Sequence, residues 1–159
     1  MHKTGLGYDI HRLEAGRRLV LGGTIIPFPE GLAGHSDGDA LVHALIDALL
    51  GALGEGDIGG RFPDTDPRTK DARSTGLLAD VVAHLKARGA AIVNVDTIIV
   101  AEAPKMGPHV PAMKAALCPV LGLPESCLGI KAKTNEGLGP VGEKRAIACF
   151  AVALIDLPD

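Results

Sequence analysis

Glycine and proline punctuate this chain at short intervals from end to end, and the segments between them alternate between two periodicities. Residues 4–10 read as a strand. Residues 18–26 read as a hairpin turning at Gly22-Gly23, where positive φ is cheap. Ser36 followed by Asp39 resembles a capping box, and Leu41, Leu45, Leu49 and Leu53 then recur at helical spacing beside a stripe of alanines until Gly54. A second helix is expected from Asp71 or Ser74 to Arg88, with Leu78, Val81, Val82 and Leu85 inward and Gly89 just past its end. A Val- and Ile-rich strand follows over 91–100. Pro108 suits the first turn of a third helix reaching Leu121, and 128–133 and 146–155 read as closing strands. Strands and helices so interleaved specify an α/β (α+β) layer architecture: a small mixed sheet with three helices covering one face, plus a hairpin. No stretch is set apart as a linker, so residues 1–159 are expected to form a single domain.

Composition narrows the function classes. At 159 residues, with 47% apolar content, a real core can form without disulfides or structural metal. A net charge of −3 gives no general basic field, which argues against nucleic acid as a partner. Apolar runs are broken by charge well short of a membrane span, and Met1-His2-Lys3-Thr4-Gly5 carries no apolar leader, so no membrane partner and a cytoplasmic location are expected. The three cysteines, Cys118, Cys127 and Cys149, lack Cys-x-x-Cys spacing and read as buried thiols.

The chemistry-bearing residues fall in the glycine-rich connections. Asp9 and His11, one residue apart in a predicted strand, point to the same face and can grip one ion. His43, early in the first helix, is a candidate third ligand. Two imidazoles and a carboxylate make a suitable catalytic zinc set, with a fourth position left for substrate or water. Asp39, His43 and Asp47 recur every fourth residue, so either carboxylate could orient the His43 ring; the same stripe is also what a solvated helix face looks like. Gly34-His35-Ser36-Asp37-Gly38-Asp39 places a histidine, a hydroxyl and free amides at a helix N-terminus, which favours anions, and is equally an N-cap with acidic residues complementing the dipole. The connection containing Asp57-Ile58-Gly59 and Phe62-Pro63-Asp64-Thr65-Asp66 is longer than a helix–helix turn needs, consistent with binding or with an ordinary turn. Lys131-Ala132-Lys133-Thr134-Asn135-Glu136 suits a phosphate and a second metal, although lysines are also common on solvated strand ends.

Together with Ala103-Pro104-Lys105-Met106, these blocks in this order resemble the 2-C-methyl-D-erythritol 2,4-cyclodiphosphate synthase family over nearly the whole chain. The resemblance implies a lyase-type enzyme of the non-mevalonate isoprenoid pathway. Its substrate would be 4-diphosphocytidyl-2-C-methyl-D-erythritol 2-phosphate, cyclised with release of CMP. By the same resemblance, Asp9, His11 and His43 would bind Zn²⁺, and Glu136 would bind Mg²⁺ (or Mn²⁺). His35 and Thr134 would stabilise the transition state. Ser36, Asp57, Ile58, Gly59, Phe62, Pro63, Asp64, Thr65 and Asp66 would contact the phosphate, sugar and methylerythritol parts. Ala101, Glu102, Ala103, Pro104, Lys105, Met106, Lys133 and Asn135 would receive the cytidine diphosphate part. The family assembles as a homotrimer with its sites between subunits.

One segment departs from the family pattern. An aromatic residue and a Gly-Arg-x-Glu-Gly run usually follow Leu138-Gly139, whereas this chain reads Pro140-Val141-Gly142-Glu143-Lys144-Arg145. The contacts of that aromatic and arginine, including those along the trimer axis, are not carried over. Two other classes fit parts of the pattern: non-haem iron oxygenases also use two histidines and a carboxylate, and a metal- or nucleotide-sensing module would need no turnover.

Overall fold

The first strand, β1, is longer than its expected seven residues. It runs His2–Ala15 because it finds pairing partners at every position. From His2 to Arg12 it pairs antiparallel with β7 (Ala146–Asp156), and at Leu13–Ala15 with β4 (Glu30–Leu32), a short strand that sequence periodicity did not disclose. On the other side of β7 lies β5 (Ala91–Val100), antiparallel to it, and then β6 (Leu128–Lys133), parallel to β5. The resulting order is β4-β1-β7-β5-β6. The parallel pair is joined through α4 (Val110–Leu121), the crossover that a parallel connection requires. The computed structural model describes residues 1–158 apart from 64, 68, 69 and 71.

The expected hairpin forms from β2 (Leu19–Leu21) and β3 (Thr24–Ile26), with φ of 58° at Gly22 and 71° at Gly23. Two residues of positive φ are what a tight hairpin turn demands. The first helix, α1 (Ala40–Leu53), ends at Gly54 in the left-handed conformation as expected, but its N-cap is Asp39 and not Ser36. Asp39 is fully buried. Its Oδ1 accepts from Val42 N at 3.1 Å and Gly22 N at 2.9 Å, while Oδ2 accepts from Gly23 N at 2.7 Å. One carboxylate thus caps the helix and pins the hairpin turn to it. Two one-turn helices, α2 (Ile58–Arg61) and α5 (Gly139–Gly142), lie within stretches read as loops. The second long helix, α3, spans Ser74–Ala87; the alternative start at Asp71 lies outside the described residues.

Layering differs in one respect from three helices side by side on a sheet. Helix α1 lies on β1 and β7, α4 lies beside β6, and α3 packs on α1 and α4 as an outer layer. Leu41, Leu45 and Leu49 are fully buried in this core, and each contributes roughly 1.5–3 kcal/mol of transfer free energy. Against the sheet, α1 presents its small residues. A β-carbon on Gly5 would sit 1.9 Å from the Ala48 carbonyl oxygen, so β1 and α1 meet backbone to backbone. Cys118 and Cys149 are buried thiols as expected, while Cys127 is half-buried. Burial pushes the Cys149 thiol well above its ordinary pKa.

Candidate metal centre and its surroundings

Alternation along β1 carries Gly5, Gly7, Asp9 and His11 to the α1 side of the sheet, and the glycines let the helix approach closely enough for His43 to complete the group. Asp9 Oδ2 lies 2.7 Å from His11 Nε2 and 2.9 Å from His43 Nδ1, and the two ring nitrogens are 3.2 Å apart. All three ligand atoms fall within 4.8 Å of one another. The other edge of each ring is held by protein. His11 Nδ1 donates to the Ala33 carbonyl, and His43 Nε2 lies 2.9 Å from Ser74 Oγ and 3.1 Å from Ser36 Oγ. Hydroxyls, not the expected Asp39 or Asp47, therefore orient His43. Asp47 instead accepts from Ile58 N at 2.7 Å. With its outer nitrogen so held, each imidazole can offer its inner nitrogen's lone pair to a metal once the proton shared with Asp9 is given up.

Electrostatics favours a charged carboxylate at the centre. Burial works to raise the Asp9 carboxyl, but hydrogen bonds and charge from His11 and His43 outweigh it and hold the group far below the usual range. Burial conversely works to lower His11, yet Asp9 keeps that imidazole above its ordinary value of 6.5. An ionised oxygen and two nitrogens converging on one point fit a divalent cation of borderline softness.

Around the triad is a cavity of about 330 Å³ lined by Gly34, His35, Ser36, Ile58, Gly59, Phe62 and Leu77 as well as the three ligands. His35 and Ser36 arrive on the loop between β4 and α1. Ile58 and Gly59 arrive on α2, whose N-cap Asp57 accepts from Gly60 N at 2.8 Å. Pro63 and Thr65 continue the chain past Phe62; Asp66 donates its N–H to Pro63 O at 2.9 Å and lines a neighbouring groove. Asp64 lies outside the described residues.

The remaining candidates gather elsewhere. Ala101, Glu102, Pro104, Lys105, Met106, Lys133 and Thr134 line a second cavity of about 380 Å³ at the ends of β5 and β6, with Ala103 joined to Pro104 by a cis peptide bond. Glu102 Oε1 accepts from Asn135 N at 2.8 Å, and Thr134 Oγ1 donates to Glu136 Oε1 at 3.1 Å. No described residue lines both cavities. Asp9 registers with Cys149, Cys149 with Ile99, and Ile99 with Ala132, three strand spacings or roughly 14 Å. Lys131 is paired with Asp96 at 2.5 Å and is not part of either cavity. Sequence reasoning passed over Ser74 and Leu77, which sit at or against the candidate metal centre, and read Asp37 only as part of the anion-favouring loop. Ser74 stood only as a helix start.

Residues 2–156 match the model of the YgbB family. The chain belongs to that family. A relative from Gloeobacter violaceus, 2-C-methyl-D-erythritol 2,4-cyclodiphosphate synthase, is 54% identical over 97% of this chain and 94% of its own. A solved 2C-methyl-D-erythritol-2,4-cyclodiphosphate synthase in a CDP-bound form superposes with a TM-score of 0.90 at 44% identity, covering 97% of this chain and all of that one. The bifunctional IspDF of Campylobacter jejuni matches with a TM-score of 0.94 at 38% identity, over 100% of this chain and 43% of that one. YgbB membership bears out the resemblance read from the motif blocks and sets aside the oxygenase alternative.

Proposed function

We propose that the chain, as one domain, converts 4-diphosphocytidyl-2-C-methyl-D-erythritol 2-phosphate to 2-C-methyl-D-erythritol 2,4-cyclodiphosphate with release of CMP. The setting would be the cytoplasmic non-mevalonate route to isoprenoid precursors. The observation that carries this reading is the convergence of Asp9, His11 and His43 on one point of a cavity, in a chain 54% identical to a synthase of that name.

The reaction is an in-line attack of the substrate's own 2-phosphate on the β-phosphorus, with CMP leaving, so the protein's work is positioning and charge. Asp9, His11 and His43 would hold Zn²⁺ and Glu136 would hold Mg²⁺ or Mn²⁺. When bound, the ions supply Lewis-acid withdrawal of charge from the transferring phosphoryl group. His35 and Ser36 stand beside the triad, where the His35 ring and the Ser36 main chain can meet phosphate oxygens. Ile58, Gly59 and Phe62 offer an apolar wall for the methylerythritol carbons. Asp57, Pro63, Asp64, Thr65 and Asp66 would contact the sugar and methylerythritol parts. The 101–106 segment, with Lys133 and Asn135, would take the cytidine diphosphate part, and Thr134 would stabilise charge on the transferring group. The CDP in the related solved structure supports a nucleotide subsite.

Separation of the two cavities supports a homotrimer in which each site draws on two neighbouring subunits. So does the sheet face away from α1. There Leu6, Tyr8 and Ile10 of β1 stand beside Phe150 and Val152 of β7, all exposed, with Tyr8 and Phe150 ring centroids 4.8 Å apart. A contiguous apolar face of this kind marks an interaction surface.

Phosphorus NMR of the protein with the diphosphocytidyl substrate and Mg²⁺, before and after zinc removal by a chelator, tests the reading. A cyclic diphosphate plus CMP, lost on chelation and regained with zinc, is the expected result. No conversion by zinc-loaded protein would overturn it.

A further inference from the structure

We propose that Ser74 is a positioning residue for His43: it accepts the imidazole Nε2 proton while Asp37 holds the hydroxyl's own proton, which keeps the Nδ1 lone pair aimed between Asp9 and His11. The inference rests on the triad being a metal site. Ser74 is fully buried at the start of α3. Its Oγ lies 2.9 Å from His43 Nε2 and donates to Asp37 Oδ1. Its backbone N–H donates to Asp37 Oδ2 at 3.0 Å, so the carboxylate grips both polar groups of one residue.

Counting protons fixes the direction of each bond. A hydroxyl has one proton and an ionised carboxylate has none. Ser74's proton is committed to Asp37, so toward His43 it can only accept. Ser36 Oγ accepts from Gly38 N at 3.3 Å, lies 3.1 Å from His43 Nε2, and finds its own remaining acceptor in Ser74 Oγ at 3.3 Å. The run Ser36 to Ser74 to Asp37 then leaves two oxygen lone-pair directions facing a protonated Nε2. Asp9 Oδ2, 2.9 Å from Nδ1, would draw the proton to the wrong nitrogen when no cation is present; the hydroxyl pair opposes that pull. The same contacts tie the His35–Ser36 loop to the first turn of α3.

The test is zinc affinity by competition with a chromogenic chelator, together with the ¹⁵N signals of the His43 ring in metal-free protein. Ser74→Ala should weaken zinc binding by on the order of 10- to 100-fold and shift the metal-free ring toward the Nδ1-protonated form. Asp37→Asn, which touches neither His43 nor the ion, should do the same. Its amide donates to Ser74 Oγ and frees the hydroxyl proton to turn on Nε2. Because Asp37→Asn preserves volume, it decides the matter if Ser74→Ala fails to fold. Zinc affinity within about twofold of wild type and an unchanged ring tautomer in a folded Asp37→Asn variant would overturn the inference. Absence of zinc binding by the wild type would instead overturn the metal-site reading beneath it.

Discussion

Gly7 and Ala44 touch through their backbones: a β-carbon on Gly7 would lie 1.9 Å from the Ala44 carbonyl oxygen and 2.8 Å from Ala48 N. Ala44 directly follows His43, and Gly7 precedes Asp9 by two residues on the same strand face. The spacing between a candidate metal ligand on a helix and two on a strand is therefore set where glycine leaves out a methyl group.

Gly7→Ala is expected to lose stability by about 1–3 kcal/mol or more, the cost of overpacking where backbone must move. It should also co-purify with less zinc. Urea unfolding and metal analysis of the same sample check both. A variant as stable and as zinc-replete as wild type would show that α1 is not seated by this contact.

Mixing inactive subunits tests the proposed sharing of a site between subunits. His43→Ala removes a candidate metal ligand, and Lys133→Ala alters the second cavity. In a symmetric trimer with each site shared by neighbours, random co-assembly of equal amounts should restore about a quarter of wild-type specific activity, since a site works only where the two intact halves meet. Measured activity that stays at the level of the separate variants would place both halves in one subunit.

Glu136 sits on exposed chain at φ 51° with the Thr134 hydroxyl on its carboxylate. Glu136→Gln is expected to raise the Mg²⁺ concentration for half-maximal rate by on the order of tenfold, with zinc content unchanged. Mg²⁺ titration of the rate, alongside metal analysis, separates the two ions. An unaltered titration would remove Glu136 from the magnesium role.

Glu55, just past α1, reaches across to α3, where it accepts from His84 Nε2 at 2.6 Å and pairs with Arg88. The His84 hydrogen bond, aided by both neighbours' charge, holds its carboxyl below the ordinary 4.5. A carboxyl so depressed stabilises the fold above its unfolded pKa, and the contribution disappears as pH falls through the folded value. Glu55→Gln should therefore lower Tm at pH 7 by an amount worth no more than about 1 kcal/mol for a partly solvated surface cluster. The difference from wild type should shrink as pH drops below about 4.5. A gap that persists or widens in acid would contradict the linkage.

Much of this was legible in the residues. Strand and helix periods gave α1, α3, α4 and the hairpin with ends close to those observed, because Gly54, Gly89 and Gly22-Gly23 are punctuation with a conformational cause. Among the segments that escaped were β4, α2 and α5, each three or four residues long. Elements so short carry no period; β4 exists only because β1 offers it an edge. The Ser36 cap failed for a related reason. Both Ser36 and Asp39 are good caps, and what chose Asp39 was the hairpin turn, whose two amides also needed an acceptor.

The sequence by itself determined the ligand types and their local geometry: a strand's alternation sends Asp9 and His11 to one face, and helical spacing puts His43 one step from an alanine stripe. Only the tertiary structure decided that these meet. A strand glycine packing on a helix alanine is a contact between residues 37 positions apart, and no local rule encodes it. The same holds for the His43 partners. Sequence spacing nominated carboxylates on its own helix, but a side chain's neighbours across a packed layer come from wherever the chain returns, and here that was Ser74 of α3.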